Sequence, residues 1–471
     1  MNKKMLIGAL SLIVSTSTFA GGLLTNTNQN ATFLRNPTRD AVIAIDGVYS
    51  NPAGIAFLPQ GFHLSLSWQA AWQKREITST MPFYQANAAT PGVQTKEFVG
   101  EAKAPVIPSF QAAYVFNDKW SVSAQFAIGG GGGKCEFEDG LGMFEKLVGS
   151  SVLGNGMSSY ELDQQLTGEQ YFYALQVGGT YKITDQVSVF GGVRGVLANC
   201  TYTGAIRNIK ADGKSSADFL GMANQAEAGA AQYEALGMVA EAEALRLQAA
   251  QAKGAAAMLS DYVLDCSQDG FGITPIIGVD VNLGKLNLAA KYEFRTKIEL
   301  ENDAKNSDNV DRMFANYANG KTVRSDIPAL LTIGAQYELL PSLRINGGYH
   351  LYFDKDAQGS ATEVTDNTWE ASLGAEWDID EKWQVSFGVQ RTQYGFDDAD
   401  MNDMSFNIRN TSLGVGGSYR FNDLLKLNVG YYHTFYEDHD VPAFDTAGNK
   451  VGNDLYTRKN DVVGVSLDFT F

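Results

Sequence analysis

Long apolar runs are missing from this chain of 471 residues. Residues 5–14 are apolar but fall well short of the roughly 20 residues that a membrane-spanning helix needs, and no other run is long enough. If the protein enters a membrane, it must do so as a closed β-barrel, the other fold that satisfies every backbone group in lipid. Basic residues are in deficit, with 36 Lys and Arg against 53 Asp and Glu and a net charge of −17. That balance argues against a nucleic-acid partner, whose phosphates demand a basic stripe. It reads instead as the solvation of long exposed loops, with cation bridging to anionic surface glycolipid as the second reading. Proline is scarce at 11 residues, whereas 49 glycines and 11% aromatics suit many strands bordered by aromatic girdles.

Cysteine and histidine are sparse too, which limits chemistry. Cys135, Cys200 and Cys266 are odd in number, so at most one disulfide forms, and sequence does not choose the pair. No two of them stand at metal-ligand spacing, and no histidine adjoins them. Only His63, His350, His433 and His439 could serve acid–base catalysis. An outer-membrane lipase would need a serine and a histidine together on the outer face near one rim; His433 has outward parity but reads as an interfacial residue. The acidic run 397–400 lacks the glycine and terminal glutamate of a calcium-binding hand loop and reads as a solvated loop tip. The chain is expected to be no enzyme, with no catalytic residue, metal or cofactor.

What is present is alternation. In Val463-Gly464-Val465-Ser466-Leu467-Asp468-Phe469-Thr470-Phe471 the apolar residues share one face and the small or polar ones the other, up to a C-terminal aromatic. The same period of two recurs along the chain and predicts an all-β transmembrane antiparallel barrel of about fourteen strands over residues 62–471, apolar side outward. The connections alternate as well. Tight turns are predicted at Asn117-Asp118, Thr184-Asp185, Leu283-Gly284, Pro341-Ser342, Asp380-Glu381 and Asn422-Asp423, and long polar stretches lie between them. Short turns mark a periplasmic rim and long loops the cell exterior, which puts both termini in the periplasm of a Gram-negative cell. The stretch 208–267 is the largest external loop. Within it, Leu236, Val239, Leu245 and Leu247 stand at helical offsets, predicting one or two amphipathic helices, either a solvated cap or a greasy landing groove.

The N-terminus reads as an address. Asn2-Lys3-Lys4, the apolar stretch and Thr18-Phe19-Ala20 have the form of a secretion signal over 1–20, cleaved before Gly21. Residues 21–61 do not alternate over barrel length. They contain an Asp-bearing apolar run from Asp40 that leads to Asn51-Pro52-Ala53-Gly54 just before the first strand. On this motif, the signal, the strand count, the helical loop and Phe471, essentially the whole mature chain resembles the FadL/OmpP1/TodX family of outer-membrane transporters for long-chain fatty acids and other hydrophobic compounds. One departure is the segment Phe33-Leu34-Arg35-Asn36-Pro37, where many members carry a glycine-rich stretch.

The resemblance implies that residues 21–61 form a hatch plugging the lumen, with Asn51, Pro52, Ala53 and Gly54 expected as a tight turn in which Gly54 permits positive φ. It implies a monomeric passive channel: a hydrophobic small molecule lands among external loops, binds in the lumen and leaves sideways into the bilayer, among outer-membrane lipid and lipopolysaccharide. A lateral exit needs a strand that stops pairing. The third strand runs into Gly129, Gly130 and Gly131, which reads either as that opening or as a loop root. Parity points Arg194, Lys291 and Arg295 inward as candidates for a carboxylate headgroup, with pairing to Asp280, Glu293 or Glu376 as the structural alternative. Phe172, Phe190, Ile276 and Tyr432 have inward parity and would give an apolar ligand its lining. The competing class is a structural or adhesive barrel whose loops bind a partner.

Overall fold

The computed structural model describes Thr25 and residues 29–357, 359, 366–398, 401–444 and 449–471; the expected signal lies outside them. The chain makes eighteen strand segments: β1 (Gly61–Thr80), β2 (Thr95–Val115), β3 (Trp120–Phe137), β4 (Tyr160–Lys182), β5 (Val187–Ala211), β6 (Lys214–Ser215), β7 (Tyr262–Asn282), β8 (Leu286–Glu293), β9 (Glu299–Ala304), β10 (Thr322–Arg324), β11 (Leu330–Leu340), β12 (Leu343–Tyr352), β13 (Trp369–Asp378), β14 (Trp383–Gln393), β15 (Asn410–Arg420), β16 (Leu425–Tyr436), β17 (His439–Phe444) and β18 (Lys450–Thr470). They form one antiparallel sheet that closes on itself, because β1 pairs with β2 on one edge and with β18 on the other. Four segments are not walls of their own. β6 is a two-residue pairing at the end of β5, β9 prolongs β8 along β7, β10 leads into β11, and β17 prolongs β16 along β18. The wall therefore has fourteen strands.

Burial follows the pleat in the inverse sense to a soluble protein. On β5 the inward Ser188, Phe190, Arg194, Val196 and Ala198 are buried, while Val189, Val193 and Leu197 are exposed. Leu66, Trp68, Trp72, Leu175, Phe387 and Val415 likewise face outward, whereas Ser65, Gln69, Gln111, Gln125 and Asn428 are buried inside. An apolar outer band with a polar interior is stable only where the surroundings are themselves apolar. Aromatic pairs gather at the tight-turn rim, with Trp120–Tyr181 and Trp383–Tyr419 each at 4.6 Å between ring centroids. All six predicted tight turns connect consecutive strands, and no described helix is long and apolar enough to cross a membrane.

Several strands run further than periodicity indicated. β4 and β5 span 23 and 25 residues because their outer halves continue to pair with each other above the apolar band, where lipid no longer enforces alternation. The glycine run, read as either a wall opening or a loop root, lies within β3, which continues to Phe137. The helical loop is a hairpin of Ser216–Ala235 and Val239–Met258, opened by a capping box between Ser215 and Asp218. Its seam differs from the expected leucine face. Ala223, Ala249 and Ala252 pack together, while Leu236, Val239 and Leu247 are exposed and Leu245 is half-buried, its Cδ1 near Gly229. Alanine wins because small side chains let the helix axes approach.

Candidate functional site

The residues ahead of β1 thread through the lumen. Asn30 caps the short helix Ala31–Arg35 by accepting from the Thr32 backbone N–H, and a second turn, Gly47–Ser50, leads into the 3-10 helix Pro52–Phe57. Asn51 caps that helix: its side-chain oxygen accepts from the Gly54 N–H at 3.2 Å, and its amide donates to Asp280 on β7 at 2.5 Å. The motif thus joins hatch to wall. Gly54 does not take positive φ; it is glycine because a Cβ there would stand 2.4 Å from the Asn51 amide nitrogen.

On the side of β11 to β18 the hatch lies against a belt of inward glycines. Cβ atoms added at Gly334 and Gly348 would strike Asp40, at Gly374 Asn36, at Gly388 Pro37, and at Gly414 and Gly430 the backbone of Leu34 and Ala31. Gly334 and Gly348 are cross-strand partners, as are Gly374 and Gly388, so the belt is continuous over neighbouring strands. Charge fixes what the glycines seat. Arg39 binds Asp46 at 2.7 Å and Glu376 on β13 at 2.5 Å, and Arg35 donates to Ser386 at 2.9 Å. His350 on β12 bridges Asp40 of the hatch at 2.9 Å and Glu370 of the wall at 3.1 Å. Burial disfavours the Asp46 charge, but Arg39 outweighs it and holds the carboxyl below its ordinary range. A depressed carboxyl stabilises above the ordinary aspartate pKa and stops doing so only as pH falls through the lowered value, so this pair holds at neutral pH.

The predicted lumen residues divide on this frame. Arg194 binds Glu293 at 2.5 Å and Gln176 at 2.7 Å; Lys291 binds the same Glu293 at 2.7 Å and donates to the Tyr49 carbonyl at 2.8 Å. Both cations also face the Tyr49 ring, at 5.0 and 4.3 Å. They hold the hatch and share the single Glu293 carboxylate in doing so. Arg295 is displaced from the position expected of it: β8 ends at Glu293, and Arg295 leaves the ladder to meet Asp326 and the Asp356 carbonyl, half-exposed. Phe190 and Ile276 do point inward, but Ala53 of the hatch covers them. Phe172 packs among Val196, Ala198 and Cys200. Tyr432 meets Phe33, 5.5 Å between ring centroids, and Leu34.

Between the hatch and the long loops lies a cavity of about 300 Å³. Tyr432 and Val462 border it beside the hatch, Ile107, Phe137, Leu166 and Tyr202 give it apolar wall, and Gln73, Gln170 and Asn460 add polar groups. Beyond it, Ile77, Tyr84, Phe98, Leu141, Phe144 and Phe406 form a packed cap. The cap helix Gly142–Gly154 is pinned by Asp403, which accepts from the Met143 N–H at 2.6 Å and the Tyr456 hydroxyl at 2.9 Å. All three cysteines are free, and Cys135 borders the cavity.

The cavity wall contains a break. β2 and β3 pair at Ala102–Cys135 and again at Ser109–Ala127, with no register between. On β3 the interval holds the run Gly129–Gly133, with φ of 99° at Gly131 and 67° at Gly133. On β2 it holds Pro105 and Pro108, which have no N–H to give a ladder. Ala104 and Ile107 from one edge, and Gly130, Gly131 and Gly133 from the other, line the cavity. The prolines were the overlooked signal: two of them inside an alternating strand mark an edge or an interruption.

Comparison with known proteins places this architecture. A family described as "Putative MetA-pathway of phenol degradation" matches residues 329–440. No curated protein matches the sequence. Among solved structures, a FadL homologue from Pseudomonas aeruginosa aligns over 95% of this chain and 100% of its own, with 12% identity and a TM-score of 0.65. The Pseudomonas putida toluene transporter TodX aligns over 91% of this chain and 94% of its own, at 12% identity and TM-score 0.55. The Ralstonia pickettii toluene transporter TbuX covers 93% and 98%, at 13% and 0.53. The chain has the fold of the FadL-type proteins, a closed fourteen-stranded barrel with an N-terminal plug.

Proposed function

We propose that the protein is a passive outer-membrane channel for hydrophobic compounds, long-chain fatty acids foremost, which bind in the cavity above the hatch and leave sideways between β2 and β3 into the bilayer. The observation that carries the reading is that the interrupted β2–β3 ladder is itself cavity wall. A ligand there is one strand's thickness from the apolar band, while the hatch closes the route along the barrel axis. The volume lies at the lower end of small-molecule sites, and the lining mixes apolar and aromatic surface with a few polar groups, as such sites do. The structures it resembles include proteins described as toluene transporters, so a monoaromatic hydrocarbon is the second ligand class. The tight-turn rim and both termini are assigned to the periplasm, and the β1–β18 seam closes each barrel without a second copy.

The test is uptake. Cells lacking their own hydrophobic-compound channel and expressing this chain should accumulate radiolabelled oleate several-fold faster than cells with empty vector, without energy input. Equal rates, with the protein verified in the outer membrane, would refute the channel reading; faster toluene but not oleate entry would keep the channel and change its ligand.

A further inference from the structure

We propose that Arg75 and Arg458 form a headgroup site in the cavity for an amphiphile bearing a single carboxylate. The inference rests on the channel reading and narrows its ligand to an anion with an apolar tail. Arg75 on β1 and Arg458 on β18 are direct cross-strand partners, and both border the cavity. Like charges placed opposite each other in an antiparallel pair destabilise it. By contrast Arg39 pairs with Asp46 and Glu376, and Arg194 and Lys291 both pair with Glu293. Among the described residues neither Arg75 nor Arg458 has a carboxylate within ion-pair distance. The buried Nε of each lacks a hydrogen-bond partner, and Arg75 donates from Nη1 to the Met404 carbonyl at 3.5 Å.

The geometry suits a ligand anion. Arg75 lies over the Phe406 ring at 5.3 Å and Arg458 over the Tyr436 ring at 5.2 Å, contacts that place each guanidinium without using up its N–H donors. A carboxylate accepts two parallel hydrogen bonds from a guanidinium fork, and one placed between the two would relieve their mutual repulsion. The tail would lie on Ile107, Leu166 and Val462 toward the β2–β3 break. A neutral hydrocarbon would leave the arginines as they are.

Purified full-length protein in nonionic detergent would be titrated with a fluorescent 18-carbon polyene carboxylate and, separately, with its methyl ester. Wild type should bind the acid more tightly, with the difference shrinking as ionic strength rises. Arg75→Met and Arg458→Met should each weaken the acid by on the order of 10- to 100-fold while leaving the ester within about twofold, and Arg→Lys at either position should recover part of the loss. Because each Met variant removes one of two repelling charges, its melting temperature should not fall. Equal wild-type affinity for acid and ester would overturn the site, as would acid and ester binding lost together or acid binding unchanged in both variants. The site stands or falls on binding and the channel on uptake: acid bound as expected without uptake would refute the channel and leave the site.

Discussion

Deleting residues 21–54 while keeping residues 1–20 should turn a closed protein into an ion-conducting pore. A fourteen-stranded barrel is too wide for its own side chains to fill, so under the proposed function the hatch is what closes the lumen below the cavity. Removing it uncovers a channel lined by Ser65, Gln69, Gln111, Gln125, Asp280, Glu293 and Glu376, all now buried. Planar-bilayer recordings should show open-channel steps for the deletion and none for wild type, with the deleted protein still heat-modifiable on gels as a folded barrel. A graded version follows from the glycine belt. Gly374→Val should unseat the hatch by driving a side chain into Asn36, whose Oδ1 would lie 2.0 Å from the new Cβ. Overpacking of this kind costs about 1–3 kcal/mol, enough to give intermittent rather than permanent conductance. Silent bilayers with both variants would mean that something other than the hatch closes the pore.

The second large effect concerns the wall. Removing Gly131 and Gly132 should abolish most uptake while leaving ligand binding in place. From Ile128–Tyr173 to Gly133–Gln170, β3 takes five steps against three on β4, a surplus of two residues absorbed by the irregular glycine backbone. Taking out two residues removes that surplus, and because the number is even every side chain further along β3 keeps its face. β3 then runs straight beside β2 and narrows the interval around Pro105 and Pro108. Oleate uptake by cells should fall toward the empty-vector rate, whereas the purified variant should bind the fluorescent acid within a few-fold of wild type. Uptake at the wild-type rate would exclude this interval as the exit, and proportionate loss of binding and uptake would make it part of the binding site.

How far these features could be read from the chain depends on what each one rests on. The strand count and the six tight turns follow from period-two alternation and turn residues, both local properties that lipid enforces. Outer strand halves lie above the lipid, and there periodicity lost its hold, which is why β4 and β5 ran past their expected ends. Inward parity was correct for Arg194, Lys291, Phe190 and Ile276, yet parity says which way a residue points and not what meets it. Arg194 meets Glu293, Lys291 meets Tyr49, and Phe190 and Ile276 meet Ala53, all contacts between segments more than 90 residues apart. Arg295 failed for a different reason: its parity was counted along a strand that ends two residues earlier. The glycine belt was legible only as composition, because its cause is the hatch backbone pressed against it. Arg75 and Arg458 gave no local signal at all; that no carboxylate among the described residues pairs with them is recognised only from the folded neighbours.

On the proposed route, ligand passes from the cavity into the bilayer and not into the space enclosed by the rim of tight turns. Proteoliposomes made with brominated lipid, and loaded inside with a soluble fatty-acid-binding protein, report both destinations of the fluorescent acid in one experiment. The lateral route predicts that bromine quenching rises first, at a rate set by the channel protein and reduced in the two-glycine deletion, with the enclosed trap filling only afterwards. Filling of the trap before or without quenching, at the same rate in wild type and deletion, would contradict the account.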